Sequence, residues 1–358
     1  MKSIGVYQNW GLGDLVMTVP VLAELRRLHP EARIVLMVHG RPQGELLAAS
    51  PLVDEILQIP QSYKDVRQIL FFARLRAKHL DAVFVGTRVA PLVAFMLRVV
   101  SGVRVVVGDG NRHGFLYTVQ NRVRPGVHRV ERMLETLALW TGIRVDRPVF
   151  PLPISDEDRR SAAAVLAAKG LAGRRYVAHH PGSSRGRGNE KRLPPTLVRE
   201  VIAALAERDP DLRHVLLFGP ADQELREQFE PLPPQAVALT GLRLGETEAV
   251  LAGAAAFVGS DSALGHIAAA LGVPTVTAVG PSNPAETRPW GASTRVVLSR
   301  EDLACRPCWF TPLHGNCPHR GRCMTEITPD QIVDALLDAL STKAADAETR
   351  GSPPSRSD

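Results

Sequence analysis

The feature that most constrains the fold of this 358-residue chain is a unit that occurs twice: an apolar run, a loop containing glycine or serine, then apolar residues at helical spacing. The first copy is SIGVY at residues 3–7, the loop Asn9-Trp10-Gly11-Leu12-Gly13, then Leu15, Val16, Val19, Leu22 and Leu25. Residues three and four apart share one helix face, so this spacing predicts a helix, with its stop at His29-Pro30. Residues 34–38 and 80–85 read as further buried strands. After a linker rich in proline and acidic residues at 148–158 the alternation restarts. Its strands are YVAHH at 176–180, ending in PGSS, then 214–218, 256–259 and 275–279. Strands apolar throughout and alternating with helices predict a parallel sheet covered on both faces. The expected fold is therefore α/β, with two Rossmann-like domains facing a cleft. They divide as 1–165 and 166–341, with an amphipathic helix at 329–340 and a disordered polar tail at 342–358. Ligands of such sheets bind at the carboxyl ends of the strands.

Hydrophobic residues make up 45% and charged residues 22%, which supplies cores for two domains and excludes disorder and collagen-like repetition. The longest apolar runs, such as residues 89–97, stop at a charge well short of the roughly 20 residues a membrane helix needs. The short apolar stretch after Met1-Lys2-Ser3 has no cleavage-site pattern, so the cytoplasm is the expected compartment. The net charge of +6 is unevenly placed: residues 1–165 hold 22 Lys+Arg against 15 Asp+Glu, and residues 166–358 hold 21 against 22. This asymmetry predicts an anionic partner for the first half, although arginine-rich solvation accounts for the composition equally well. A nucleic-acid partner is not expected, because aromatic residues are 5% of the chain and no recognition motif occurs.

Four clusters carry candidate chemistry. In Gly11-Leu12-Gly13-Asp14, the glycines permit a tight turn and close approach to a ligand, while Val16 occupies the third glycine position of a dinucleotide fingerprint. Asp14, opening a helix, reads either as a cap or as a carboxylate that takes a proton from a hydroxyl nucleophile. The segment HHPGSSRGRGNEKRLPP, residues 179–195, reads as an anion loop in which Ser183, Ser184 and backbone N–H groups hold phosphate oxygens and Lys191 or Arg192 supplies charge. A basic flexible loop is the plainer reading. The segment beginning GSDSALGHIAAALGVP at Gly259 sets Asp261, Ser262 and the amides of Ala263 and Leu264 at a helix amino terminus, with His266 in the first turn. Free donors and partial positive charge there suit a diphosphate. Finally, Cys305, Cys308, Cys317 and Cys323 comprise all four cysteines of the chain. A structural zinc and reduced thiols both fit that spacing.

Together these segments resemble glycosyltransferase family 9, the ADP-heptose:lipopolysaccharide heptosyltransferases. GLGDLVMTVP resembles the family's G-D followed by T-x-P, and HPGSS…KRLPP its H-P-G-[AS]-x…K-x-W-P element. SDSALGHIAAALGVPTVTAVGPSNP resembles its D-[ST]-G-x-x-H-x-A-x-A-L-G-x-P…G-P-T-x-P element. SPLVDEIL, HRVERMLETLALWTG and the cysteine segment at 305–323 extend the likeness over residues 2–340. Two positions depart from the pattern: Ala263 stands where the family has Gly, and Leu193 where it has Trp.

The resemblance implies a GT-B fold and an inverting transfer of heptose from ADP-heptose to the lipopolysaccharide inner core, with no cofactor required for catalysis. It implies Asp14 as general base, and Lys191, Ser183, Ser262 and the amides near Ala263 and Leu264 as stabilisers of the leaving ADP. Gly13, Ser184, Asp261 and His266 complete the donor site. The first domain would then meet the acidic acceptor through Arg41, Arg88, Arg98, Arg112 and Arg122, on the cytoplasmic face of the inner membrane. Rival readings are a transferase using another nucleotide sugar or a secondary-metabolite acceptor, a sugar-nucleotide epimerase, and a non-catalytic nucleotide-sugar sensor.

Overall fold

Strands buried on both faces need no polar alternation, and β1 (Ser3–Gln8) is buried at all six positions. It is central to a parallel sheet of six strands in the order β3-β2-β1-β4-β5-β6. The others are β2 (Arg33–Val38), β3 (Glu55–Gln58), β4 (Ala82–Val85), β5 (Val105–Asp109) and β6 (Val119–Asn121). The computed structural model describes residues 1–60, 66–86, 89–109, 114–122, 124–184, 186–300 and 302–351.

The helices of this first unit are α1 (Leu12–Leu28), α2 (Arg41–Leu46), α3 (Val66–Arg76), α4 (Pro91–Phe95) and α5 (Arg129–Thr141). A π-helical turn, Met96–Val100, continues α4 directly. Phe72 and Leu75 of α3 share a core with Val93 and Leu97 and with Tyr7, Met37, Val83 and Val85 of the sheet. Helices α1 and α5 pack on each other and contribute nothing to that cluster.

The second unit repeats the plan. Its sheet runs β12-β11-β10-β7-β8-β9, again parallel throughout. The strands are β7 (Tyr176–His180), β8 (Arg213–Phe218), β9 (Ala236–Thr240), β10 (Ala256–Ser260), β11 (Thr275–Ala278) and β12 (Thr294–Val297). The helices are α6 (Asp156–Ala168), α7 (Pro195–Arg208), α8 (Gln223–Glu227), α9 (Leu244–Ala252), α10 (Ala263–Ala270), α11 (Pro284–Thr287), α12 (Arg322–Thr325) and α13 (Pro329–Gly351). Read in chain order, both sheets have the 3-2-1-4-5-6 connectivity of the dinucleotide-binding fold.

Two expectations need adjustment. The compact units are Met1–Ser155 and Asp156–Asp358, so residues 156–165 go with the second sheet rather than the first. The reason is the packing of α6 on α9, supported by Ser161 Oγ donating to Glu246 Oε1 at 2.6 Å and by Arg243 pairing with Asp158 at 3.1 Å. Composition alone does not say which layer a linker helix joins. The tail expected to be disordered from residue 342 instead continues α13 to Gly351, and residues 352–358 lie outside the described residues. Alanine and charged residues there favour helix, and Arg295 Nη2 donates to Thr342 Oγ1 at 2.6 Å. Among the described residues no helix is long and apolar enough to cross a membrane.

Candidate active site

In each sheet the strand order reverses once, between β1 and β4 in the first unit and between β7 and β10 in the second. Adjacent crossovers leave on opposite faces there, and the loops part to form a crevice at the carboxyl ends. The loops holding Asp14 and Asp261 follow the strands that flank these two points.

In the first unit, Asp14 occupies the third position of α1 and its Oδ2 accepts the Gly11 N–H at 3.2 Å. The capping role is therefore real, but it uses one oxygen only. Oδ1 pairs with the Arg129 guanidinium, which lies 4.5 Å from the centre of the Trp10 ring. Each carboxylate oxygen retains a second lone pair that can accept a proton. The buried Gln8 side chain anchors this loop, donating to Asp14 O at 3.1 Å and to Thr18 Oγ1 at 2.8 Å. Its Oε1 accepts the Trp10 N–H at 3.1 Å. Beneath α5, Arg132 and Asp109 form a buried pair at 2.5 Å. Neither Arg129 nor Trp10 was assigned a role from sequence, although Arg129 lies in a family-like segment and Trp10 just precedes one.

In the second unit, Lys191 Nζ donates to Asp261 Oδ2 at 2.7 Å, and both side chains are largely buried. Burial pushes the Asp261 carboxyl up, but the charge and hydrogen bond of Lys191 outweigh it and hold it below the usual range. The same ammonium sits 3.8 Å from the centre of the Trp309 ring. Trp309 comes from the cysteine segment, which docks on the loop after β11 through Cys308 N–H and Trp309 N–H, both 2.9 Å from Pro281 O. Sequence reasoning passed over Trp309 because no spacing links it to Lys191. Leu193, the other departure, is buried in the core of this unit, so the aromatic surface beside Lys191 is supplied by Trp309.

His180, the last residue of β7, bridges two loops. Its Nδ1 is 2.8 Å from Ser262 Oγ and its Nε2 is 3.4 Å from Asp222 Oδ2. A carboxylate at Nε2 favours the proton on that nitrogen, which leaves Nδ1 to accept from the Ser262 hydroxyl. In that tautomer the Ser262 oxygen keeps lone pairs free to accept from a ligand. Gly182 permits this arrangement, because a Cβ there would overlap the Asp222 carboxylate.

The other expected donor residues fall at the same edge. Ser183 is buried and Ser184 exposed after β7, Ala263 and Leu264 open α10, and His266 lies buried in its first turn. Gly13 lies in the first turn of α1. The arginines do not converge. Arg41 follows β2 at the carboxyl edge and pairs with Glu45 at 2.6 Å, and Arg122 is exposed after β6. Arg98 donates to Thr118 Oγ1 at 2.8 Å at the amino edge, where β5 and β6 begin, which removes it from the ligand side. Arg88 and Arg112 lie outside the described residues.

The four cysteines are unpaired thiols, and the described residues contain no group of three or more His, Cys, Asp or Glu arranged to hold a metal ion. Cys323 packs in the core with Met324, and burial, with the neighbouring thiols, pushes its thiol up to about 11.

Known proteins resemble this chain over most of its length. The chain is 29% identical over 313 residues to lipopolysaccharide heptosyltransferase 1 of Pseudomonas aeruginosa, covering 83% of each chain. It resembles the solved structure of a glycosyl transferase family 9 protein from Veillonella parvula, with a TM-score of 0.79 at 20% identity over 95% of this chain and 97% of that one. It also resembles ADP-heptose LPS heptosyltransferase II of Escherichia coli, with a TM-score of 0.71 at 21% identity over 96% of this chain and 100% of that one. Both structures share its fold of two Rossmann-like domains. The model of glycosyltransferase family 9 (heptosyltransferase) matches residues 70–312, well over half of the chain, which therefore belongs to that family and is a glycosyltransferase.

Proposed function

We propose that the protein transfers a heptose from ADP-heptose to a sugar hydroxyl of the lipopolysaccharide inner core, with inversion at the anomeric carbon. The observation that carries this reading is the buried Lys191–Asp261 pair beside the amino end of α10. A fixed cation and free helix amides are what a departing diphosphate requires, and the relatives named above are heptosyltransferases. In the proposed step the acceptor oxygen bonds to the anomeric carbon as the bond from that carbon to the β-phosphate oxygen breaks. The electron pair leaves with ADP and the acceptor proton passes to Asp14. Lys191, Ser183 and the amides of Ala263 and Leu264 stabilise the leaving charge. Asp261 holds Lys191 in place, and His266 and Ser262 orient the donor.

On this reading the first unit binds the anionic acceptor, with Arg41 and Arg122 at its carboxyl edge, and the second binds the donor. Arg88 and Arg112 belong to the same proposal. The enzyme works in the cytoplasm, in peripheral contact with the inner membrane. Ala263, which puts a methyl group at the amino end of α10, supports a second reading in which another nucleotide sugar or acceptor is used.

The test is a thermal-shift screen of ADP-heptose, UDP-sugars and GDP-sugars, followed by nucleotide release with a heptose-free inner-core acceptor. Stabilisation by ADP-heptose and acceptor-dependent ADP release are expected. Response to a UDP- or GDP-sugar alone would overturn the donor assignment in favour of the second reading.

A further inference from the structure

Helix α3 is apolar on two opposite faces. Gln68, Phe72 and Leu75 are buried, while Val66, Ile69 and Leu70 are exposed by 65%, 55% and 46%. At about 3.6 residues per turn the exposed apolar residues form one stripe centred opposite the buried face. Arg67 and Arg74 flank it on one side and Arg76 on the other. The neighbouring α4 and π turn repeat the pattern: Val93, Ala94 and Leu97 are buried, while Leu92, Phe95 and Val99 are exposed by 57%, 43% and 56%.

The two stripes belong to one layer. The buried faces share a core, and Ser101 Oγ, just after the π turn, donates to Phe72 O of α3 at 2.8 Å. Six large apolar side chains on the outside of one layer are unusual where the core beneath is already filled. The charge around them is one-signed. Residues 66–104 contain seven Lys+Arg and a single acidic residue, Asp81, whose carboxylate accepts the backbone N–H groups of Lys2 and Ser3. An apolar stripe with arginine flanks matches the headgroup–acyl boundary of an anionic leaflet.

We propose that α3 together with α4 and the π turn forms a docking face for an anionic lipid bilayer, its apolar side chains entering the interface and its arginines meeting lipid phosphates. The proposal rests on the transferase reading only for why the enzyme visits a membrane.

The experiment is flotation of the full chain with vesicles of equal parts phosphatidylethanolamine and phosphatidylglycerol, against vesicles of phosphatidylcholine. The wild type should float with the anionic vesicles and lose binding as salt rises. The combined variant Ile69→Ser, Leu92→Ser, Phe95→Ser should partition at least about tenfold less. It should release ADP from ADP-heptose with a water-soluble acceptor at the wild-type rate, which separates a failed docking face from a failed transferase reading. If that variant does not fold, Arg67→Gln with Arg74→Gln carries the test and should weaken binding and flatten its salt dependence. Wild-type protein that ignores anionic vesicles, or variants that float equally well, would overturn the proposal. A wild-type dimer that the serine variant converts to monomers would overturn it in favour of an interface between copies.

Discussion

Lys191 Nζ lies between the Asp261 carboxylate, 2.7 Å away, and the Trp309 indole, 3.8 Å from the ring centre, so one ammonium is held by an anion and a π face from separate segments of the chain. On the proposed donor reading, such fixing costs the charge little mobility when a diphosphate arrives, because the ammonium is already largely buried and held. Preorganisation of this kind is where electrostatic stabilisation of a leaving group acquires most of its strength.

Removing the cation should damage both chemistry and folding. Lys191→Ala is expected to lower kcat/KM for the ADP-sugar by about 10²–10³, in line with loss of one preorganised electrostatic group. It leaves the buried Asp261 unpaired, which costs about 3–5 kcal/mol. Steady-state rates and urea denaturation measure the two effects separately. Wild-type kcat/KM would remove Lys191 from the leaving-group site.

Trp309 should act through Lys191 rather than by touching the reacting atoms. A partly buried cation–π contact is worth about 0.5–2 kcal/mol, so Trp309→Ala should raise the donor KM by about 2- to 30-fold. Trp309→Phe keeps a π face and should recover much of the loss. Equal defects in both variants would show that bulk, not the ring, matters.

On the first unit, Asp14→Asn should reduce turnover by about 10²–10⁴ while donor affinity, read by calorimetry, stays within about twofold. Arg129→Met frees Oδ1 and should lower kcat less than Asp14→Asn does, since the carboxylate survives but loses one of its two anchors. Turnover of Asp14→Asn at the wild-type rate would eliminate it as the base.

How much of this was legible beforehand divides along physical lines. Periodicity reports what a residue buries, so the α/β class and the cores around β1, β2, β7, β8, β10 and β11 were readable from apolar runs. The short edge strands β3, β6 and β12 carry partly exposed residues and left no such mark. Asp14, Lys191 and Asp261 stood out as candidates because loops after strands concentrate chemistry. Their partners Arg129 and Trp309 were not, because each lies over a hundred positions from the residue it serves and only tertiary folding pairs them. The domain limit at 155 was missed for a similar reason: α6 joins α9 through contacts no local pattern encodes.

Acid should destabilise the second unit through two buried histidines. His179 Nε2 and His214 Nδ1 are 3.0 Å apart in the core. Burial pushes His179 well below its ordinary range, and it lowers His214 to about 4. The unfolded chain therefore binds more protons below about pH 6.5, so stability is full above that value and falls as pH drops towards about 4. Urea midpoints should decline over this window, and His179→Leu with His214→Leu should make the decline shallower. An unchanged slope would acquit the pair.

Glu248 should limit stability from the alkaline side. It is buried on α9, and burial, reinforced by Asp158, raises its carboxyl to about 8. A raised folded-state value means the native chain keeps a proton that the unfolded chain releases near its ordinary range of about 4.5. The favourable contribution is complete below that range and is lost as pH rises through about 8. Glu248→Gln has nearly the shape of the protonated acid and carries no charge, so it should match the wild type at about pH 5 and exceed it in stability at about pH 8.5. Its advantage should grow continuously between those limits in urea melts. A variant less stable than the wild type at every pH would mean that the side chain is held as an ionised partner, not as a buried acid.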